Sequence, residues 1–189
     1  MTSVPAAHFE RLYREHPDPW GFTSSAYEHA KYERTLAALG GRVFGRTLEL
    51  GCSIGVLTRR LAGHCAELVA CDAAPTAVLL ARERTADQPH VAVVAATLPD
   101  ELPPGPWELV VASEVLYYLD APALERTLDA VEAALVPGGT LLAVHWTRPT
   151  RTHPLQGDAV HDTLVGRPAL QRTRAECHAD YRLDRFTRR

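Results

Sequence analysis

The residues best suited to chemistry are Leu48-Glu49-Leu50-Gly51-Cys52-Ser53-Ile54-Gly55. An apolar strand precedes the turn and a helix follows it, the setting in which a tight turn offers backbone amides to a nucleotide-like ligand. Gly51 permits the sharp turn, and Gly55 lets the helix approach the sheet. Asp72, with Ala73 beside it, ends the next strand about 20 residues on, where an acid can accept from both ribose hydroxyls.

Two ligand classes use such a turn, and these residues separate them. A dinucleotide needs glycines spaced G-x-G-x-x-G, the second for close approach to the pyrophosphate and the third for helix packing. Counted from Gly51, those places hold Ser53 and Val56. Glu49 would repel a pyrophosphate but suits a ligand carrying a sulfonium and an ammonium. S-adenosylmethionine is therefore the expected cofactor, ahead of a nicotinamide dinucleotide. A tight turn with no ligand is the structural alternative.

Methyl transfer from a sulfonium is an in-line displacement, so the acceptor atom must be held roughly 3–3.5 Å away with water excluded. Ligands of open α/β sheets gather at the carboxyl ends of the strands. Two such ends carry polar residues, Ser113-Glu114 and His145-Trp146. Glu114 or His145 is expected to accept a proton from an amine acceptor or to orient it. Ser113 and Glu114 also lie on the cofactor side. The structural alternatives are His145 as a strand-end cap and Tyr117 and Trp146 as core aromatics instead of a sugar-stacking surface.

The segment from Phe9 to Tyr32 precedes the first strand and is rich in aromatics, Trp20 and Tyr27 among them. It is expected to fold over the cofactor as a lid, with Trp20 excluding water, or else to pack on the sheet as core. Lys31 and Arg34 are candidates for the cofactor carboxylate or for a solvated helix face. His153, Asp158, His161 and Asp162 have ligating side chains but no metal-site spacing, and Pro154 and Gly157 mark a polar loop. No metal is expected.

The elements that must hold these side chains follow from periodicity and stop signals. Residues 6–15 and 24–39 read as helices, the second started by Ser24 or Ser25 and stopped by Gly40-Gly41. Strands are expected at 46–50, 67–71, 90–94, 109–112 and 140–144, with helices at 54–62, 76–84 and 121–135. Leu124, Leu128, Val131 and Leu135 recur at helical spacing, and Pro137-Gly138-Gly139 is the stop signal. Such alternation implies right-handed parallel βαβ units. A helix at 157–165 and two strands at 170–177 and 181–187, close enough for a hairpin, complete the chain. The expectation is one domain over 1–189: a helical lid (1–39), a cofactor-binding core (40–146), and a C-terminal helix and hairpin (147–189).

A net charge of −3 on 189 residues gives no electrostatic reason to expect nucleic acid or an anionic membrane as partner. Lys31 is the only lysine, and the arginine excess reads as base composition and not as a binding patch. The basic stretch 167–189 reads as a solvated strand pair. Cys52, Cys65, Cys71 and Cys177 form no C-x-x-C pair, so free thiols in a reducing cytoplasm are expected. The first 15 residues lack the apolar stretch of a signal peptide, and no run approaches the roughly 20 apolar residues of a membrane span. A small-molecule acceptor is the expected partner.

Glu49-Leu50-Gly51-Cys52-Ser53-Ile54-Gly55 resembles motif I of class I S-adenosylmethionine-dependent methyltransferases, and Asp72 resembles their ribose-binding acid. Ala96-Thr97-Leu98-Pro99 stands where that family usually has an Asp beside the adenine. Thr97 departs from this, leaving backbone groups of Ala96 to Leu98 to serve. Val111-Ala112-Ser113-Glu114-Val115-Leu116-Tyr117-Tyr118 resembles motif IV. The resemblance implies an α/β fold, a doubly wound, mostly parallel, seven-stranded Rossmann-like sheet with a C-terminal antiparallel hairpin. A narrower resemblance is to the nodulation protein S family of N-methyltransferases, which act on partly deacetylated chitooligosaccharides. It rests on Asp18-Pro19-Trp20-Gly21-Phe22, Tyr27-Glu28, Lys31-Tyr32-Glu33-Arg34-Thr35-Leu36, Ser113 to Leu119, and His145-Trp146. It implies methylation of an amine, an amino sugar included. Methylation of a hydroxyl and a non-catalytic binding role stay open.

Overall fold

The computed structural model describes residues 2–189. The strands are β1 (Phe44–Leu50), β2 (Cys65–Asp72), β3 (Val91–Ala95), β4 (Trp107–Ser113), β5 (Leu135–Trp146), β6 (Leu170–Cys177) and β7 (Tyr181–Arg188). The helices are α1 (Ala6–Glu15), α2 (Ala26–Ala37), α3 (Val56–Leu61), α4 (Pro75–Arg84), α5 (Ala121–Ala134) and α6 (Gly157–Val165). One sheet takes all seven strands in the order β3-β2-β1-β4-β5-β7-β6. The first five pair in parallel, and β7 runs antiparallel to both β5 and β6.

The central strands read as continuous apolar runs because both sheet faces are covered. Alternate residues of each strand point to opposite faces. Leu48, Leu50, Val110, Ala112, Leu141 and Ala143 pack toward Leu124, Leu128 and Val131 of α5 and Val160 and Leu164 of α6. Leu109, Val111, Leu142 and Val144 face the other way, with Leu57 and Leu61 of α3 and Tyr32 of α2. The doubly wound architecture is thus the one anticipated, including the C-terminal antiparallel pair.

Two local readings need correction. The helix after the glycine turn starts at Val56, two residues later than Ile54, because Gly55 caps it in the left-handed region at φ +78°. A Cβ on Gly55 would lie 3.0 Å from Ala81 of α4, so this glycine admits a neighbouring helix and not the sheet. Pro137-Gly138-Gly139 does not form a loop between α5 and its strand. The chain enters β5 directly at Leu135. The glycines lie in a bulge where the register jumps from Trp107↔Leu135 to Leu109↔Thr140.

Candidate active site

The strand order reverses between β1 and β4, and such a switch point opens a crevice at the carboxyl ends of the strands. A cavity of about 390 Å³ lies there, within the ordinary size of small-molecule sites. Its walls come from the ends of β1 to β5, and α1 and α2 close it from above. Gly51 (φ +68°) lines it, and a Cβ there would collide with Val115 at 2.6 Å. Ser53 also takes a positive φ of 52°, a conformation unusual for a residue with a side chain. Its amide donates to Asp72 Oδ2 at 2.9 Å, while Asp72 Oδ1 accepts from Ala74 N at 2.9 Å. The carboxylate at the end of β2 therefore fixes the glycine turn as well as facing the cavity.

Glu49 is 2% exposed and its Oε2 has no hydrogen-bond partner. Burial pushes its carboxyl up to about 8, and the charge of Asp72 adds to the effect. An unpartnered carboxyl oxygen on a cavity wall fits a positively charged ligand group, as the sulfonium and ammonium of S-adenosylmethionine provide. Ala73, Ala96, Thr97, Leu98, Ser113 and Trp20 line the same cavity. The amides of Ala96 and Thr97 are already engaged, by Asp72 O at 3.0 Å and Glu101 Oε2 at 2.8 Å. Of the backbone groups expected to serve an adenine in this stretch, those two N–H groups are thus already taken.

Glu114 enters the cavity from the end of β4 with φ +56°. Three donors converge on it: Lys31 Nζ at 2.7 Å, Tyr117 Oη at 2.5 Å and Trp146 N at 3.0 Å. Lys31 is 3% exposed, so the reading of a solvated helix face is wrong for this residue. Its ammonium bridges Glu114 and Glu28, the latter at 3.0 Å. Burial raises the Glu28 carboxyl, against the pull of Lys31. Tyr117 keeps its phenolic proton, since burial and the charge of Glu114 hold it well above its ordinary range.

Helix α1 is tied across the cavity. Tyr13 Oη donates to Ser53 Oγ at 2.6 Å, the Glu10 carboxylate accepts from Thr76 N at 2.9 Å, and Phe9 packs edge-on against Tyr118 at 4.8 Å. His153 also lines the cavity and stacks on Tyr117 with centroids 4.1 Å apart.

Gly55, His145 and Arg34 are not among the lining residues, and Arg34 is exposed on α2, on a solvated helix face. Gly55 lies behind the turn, as described. His145 is fully buried, with its ring bonded to Leu116 N and to His161, so it does not reach an acceptor; this corrects its expected catalytic place. It follows Leu141 and Ala143 at period two and so turns toward α6. His161, grouped with His153 on sequence, instead faces Asp184 at 2.8 Å, and Asp162 faces Arg182 at 2.9 Å. Glu28, Tyr13 and His153 line the cavity without having been singled out for it. The pair Glu28 and Lys31, three apart on a helix, was the available signal.

The family model for nodulation protein S (NodS) matches residues 8–145. Nodulation protein S of Sinorhizobium fredii is 30% identical over 146 residues, covering 75% of this chain and 67% of its own. That of Rhizobium tropici is 30% identical over 127 residues, and the match spans 53% of its length and 66% of this chain. The chain thus spans only about half to two thirds of these relatives. Among solved structures, N-methyltransferase NodS from Bradyrhizobium japonicum WM9 in complex with S-adenosyl-L-homocysteine superposes with a TM-score of 0.86 at 27% identity, covering 97% of each chain. A structure from Pseudomonas syringae is 43% identical with a TM-score of 0.77, covering 87% of this chain and all of its own.

Proposed function

The chain belongs to the nodulation protein S family of S-adenosylmethionine-dependent methyltransferases, and on that premise we propose that its acceptor is the primary amine of a small, sugar-like molecule. The observation that carries this reading is the charge of the cavity. Glu28, Asp72 and Glu114 line it with one ammonium, Lys31, among the described residues, and Glu49 adds a carboxyl that a positive ligand ionises. An acidic surplus draws in positively charged ligands, and both a sulfonium cofactor and an ammonium acceptor carry that charge.

Bound S-adenosylmethionine supplies a methyl carbon on positive sulfur, which an amine lone pair displaces in line while the sulfur keeps the bonding electrons. In this reading Asp72 accepts from the ribose hydroxyls, and Gly51, Ser53 and Ala73 bring backbone close to the cofactor. Gly55 acts from behind the turn by letting α4 support it. Ala96, Thr97 and Leu98 supply a wall for the adenine, and Ser113 borders the methyl group. Glu49 faces the cofactor's positive end, and Trp20 excludes water from the lid side. Glu114, held by its three donors, orients the amine. Glu28, whose carboxyl is raised, takes the proton that the amine must lose. Residues up to 39 act as the lid, 40–146 as the cofactor core and 147–189 as its flank. Four free cysteines among the described residues support a reducing cytoplasm as the site of action.

The test compares an amino sugar with its N-acetylated form, using labelled methyl donor. Label should enter the free amine alone, at a rate that rises with pH while the bound amine loses its proton. Equal transfer to both forms, or transfer to hydroxyls only, would overturn the amine reading in favour of O-methylation.

A further inference from the structure

His145 (β5), His161 (α6) and Asp184 (β7) are each 0% exposed and line up in one hydrogen-bonded row. The row begins at the backbone. Leu116 N donates to His145 Nε2 at 3.3 Å. His145 Nδ1 lies 3.2 Å from His161 Nε2, and His161 Nδ1 lies 2.8 Å from Asp184 Oδ2. Arg182 Nε also donates to Asp184 Oδ2, at 2.9 Å.

The two ends of the row leave its protons no freedom. An amide N–H can only donate, so His145 Nε2 must accept, and a neutral imidazole then carries its proton on Nδ1. That proton points at His161 Nε2, which must accept in turn, so His161 carries its own proton on Nδ1. A carboxylate can only accept, and Asp184 receives that proton's hydrogen bond. Burial works against the charge on Asp184, but the bond from His161 and the charge of Arg182 hold its carboxyl below the ordinary range. Burial, with the charge of Lys31 adding to it, holds His145 well below its ordinary value, which keeps it neutral.

We propose that His145, His161 and Asp184 are positioning residues: a one-way hydrogen-bond chain through the core that fixes the turn carrying Glu114 and Tyr117. The turn needs such support, because Glu114 has positive φ and Val115 lies outside the regular regions at φ −125°, ψ −42°. Leu116 N is the backbone group by which the core grips it from below. Glu114 N to Val144 O at 2.8 Å and Trp146 N to Glu114 Oε2 at 3.0 Å grip it from β5. If His145 took the other tautomer, its Nε2–H would confront Leu116 N–H, donor against donor, and the turn would shift. The effect on rate rests on the reading of Glu114 as the residue facing the acceptor. The proton arrangement does not.

Nitrogen-15 spectra of the histidine rings in the whole protein at neutral pH test the proton arrangement without any variant. Both His145 and His161 should be neutral with the proton on Nδ1. An Nε2–H tautomer, or a protonated ring, at either residue would overturn the chain. Kinetics test its consequence. His161→Leu removes the link, and kcat should fall about tenfold or more while the dissociation constant for S-adenosylmethionine stays within about twofold, as expected when a reacting group is misplaced but not lost. His161→Gln should recover much of the rate, since its amide oxygen can accept from His145 and its amide nitrogen can donate to Asp184. A folded His161→Leu protein with unchanged kcat would also overturn the proposal. Failure of the amine reading would appear instead in which acceptor is labelled, and would leave the tautomers as stated.

Discussion

Lys31 is the only lysine of the chain and lies at the centre of the site, bound to Glu28 and Glu114. Removing one partner of a buried ion pair leaves the other charges uncompensated, at a cost of about 3–5 kcal/mol. Lys31→Met should therefore lower the unfolding free energy by about 3 kcal/mol, near the bottom of that range because the two carboxylates keep some contact with water. Urea titration checks this, and the double variant with Glu114→Gln should recover part of the loss. Glu49 gives a second prediction. With its carboxyl at about 8, it holds a proton at neutral pH, and a positive ligand favours the ionised form. Binding of S-adenosylmethionine at pH 7 should release close to one proton from wild type, and affinity should rise with pH until about 8. Calorimetry in buffers of different ionisation enthalpy should find that proton missing in Glu49→Gln. Asp72→Ala should weaken cofactor binding about tenfold or more, the size of a lost charge-assisted hydrogen bond, and also loosen the turn that Ser53 N anchors. The residues of this turn were legible in the sequence because their geometry is local: a strand, four or five residues and a helix fix where Glu49, Gly51 and Ser53 stand. His145 was not, because one residue's shift along β5 decides whether a side chain meets the cavity or α6.

The elements around the site divide in the same way. The strands and helices of the sheet were readable to within a few residues, since short apolar runs and helical spacing persist over whole elements. Ser25 caps α2, as its type suggested, with its hydroxyl accepting from Glu28 N at 3.3 Å. The bulge in β5 was not readable, because Pro137-Gly138-Gly139 looks the same in a loop and in a strand that bends. Helix α1, which lies across the cavity, shows only its aromatics in sequence, and its anchors come from distant segments. One anchor is the hydrogen bond from Tyr13 to Ser53. Tyr13→Phe keeps the ring and removes that bond, worth about 1 kcal/mol. Dissociation of S-adenosylmethionine should accelerate about fivefold, in line with that figure, while the far-ultraviolet circular dichroism stays as in wild type. Stopped-flow displacement by S-adenosylhomocysteine checks both the direction and the size.

At the scale of the molecule, one topological fact organises the function. Parallel strands leaving β1 in opposite directions open a crevice where their carboxyl ends meet, and the glycine turn, Asp72 and Glu114 all stand at that edge. The alternation of strands and helices made the parallel core legible. The insertion of β7 between β5 and β6 was not, because a sequence shows that two strands can pair but not which of them also pairs with the sheet. That insertion brings Asp184 beneath His161 and so builds the far end of the buried row. The central claim is that a methyl donor held at the glycine turn meets an amine oriented by Glu114. The most direct test is the rate of labelled methyl transfer from saturating S-adenosylmethionine to an amino sugar, in wild type and in Glu114→Gln. The account predicts label on the wild-type reaction's amine and a rate about tenfold or more lower in the variant, as for loss of orientation at a reacting centre. Equal rates in the two proteins, or no label on the amine with wild type, would contradict it.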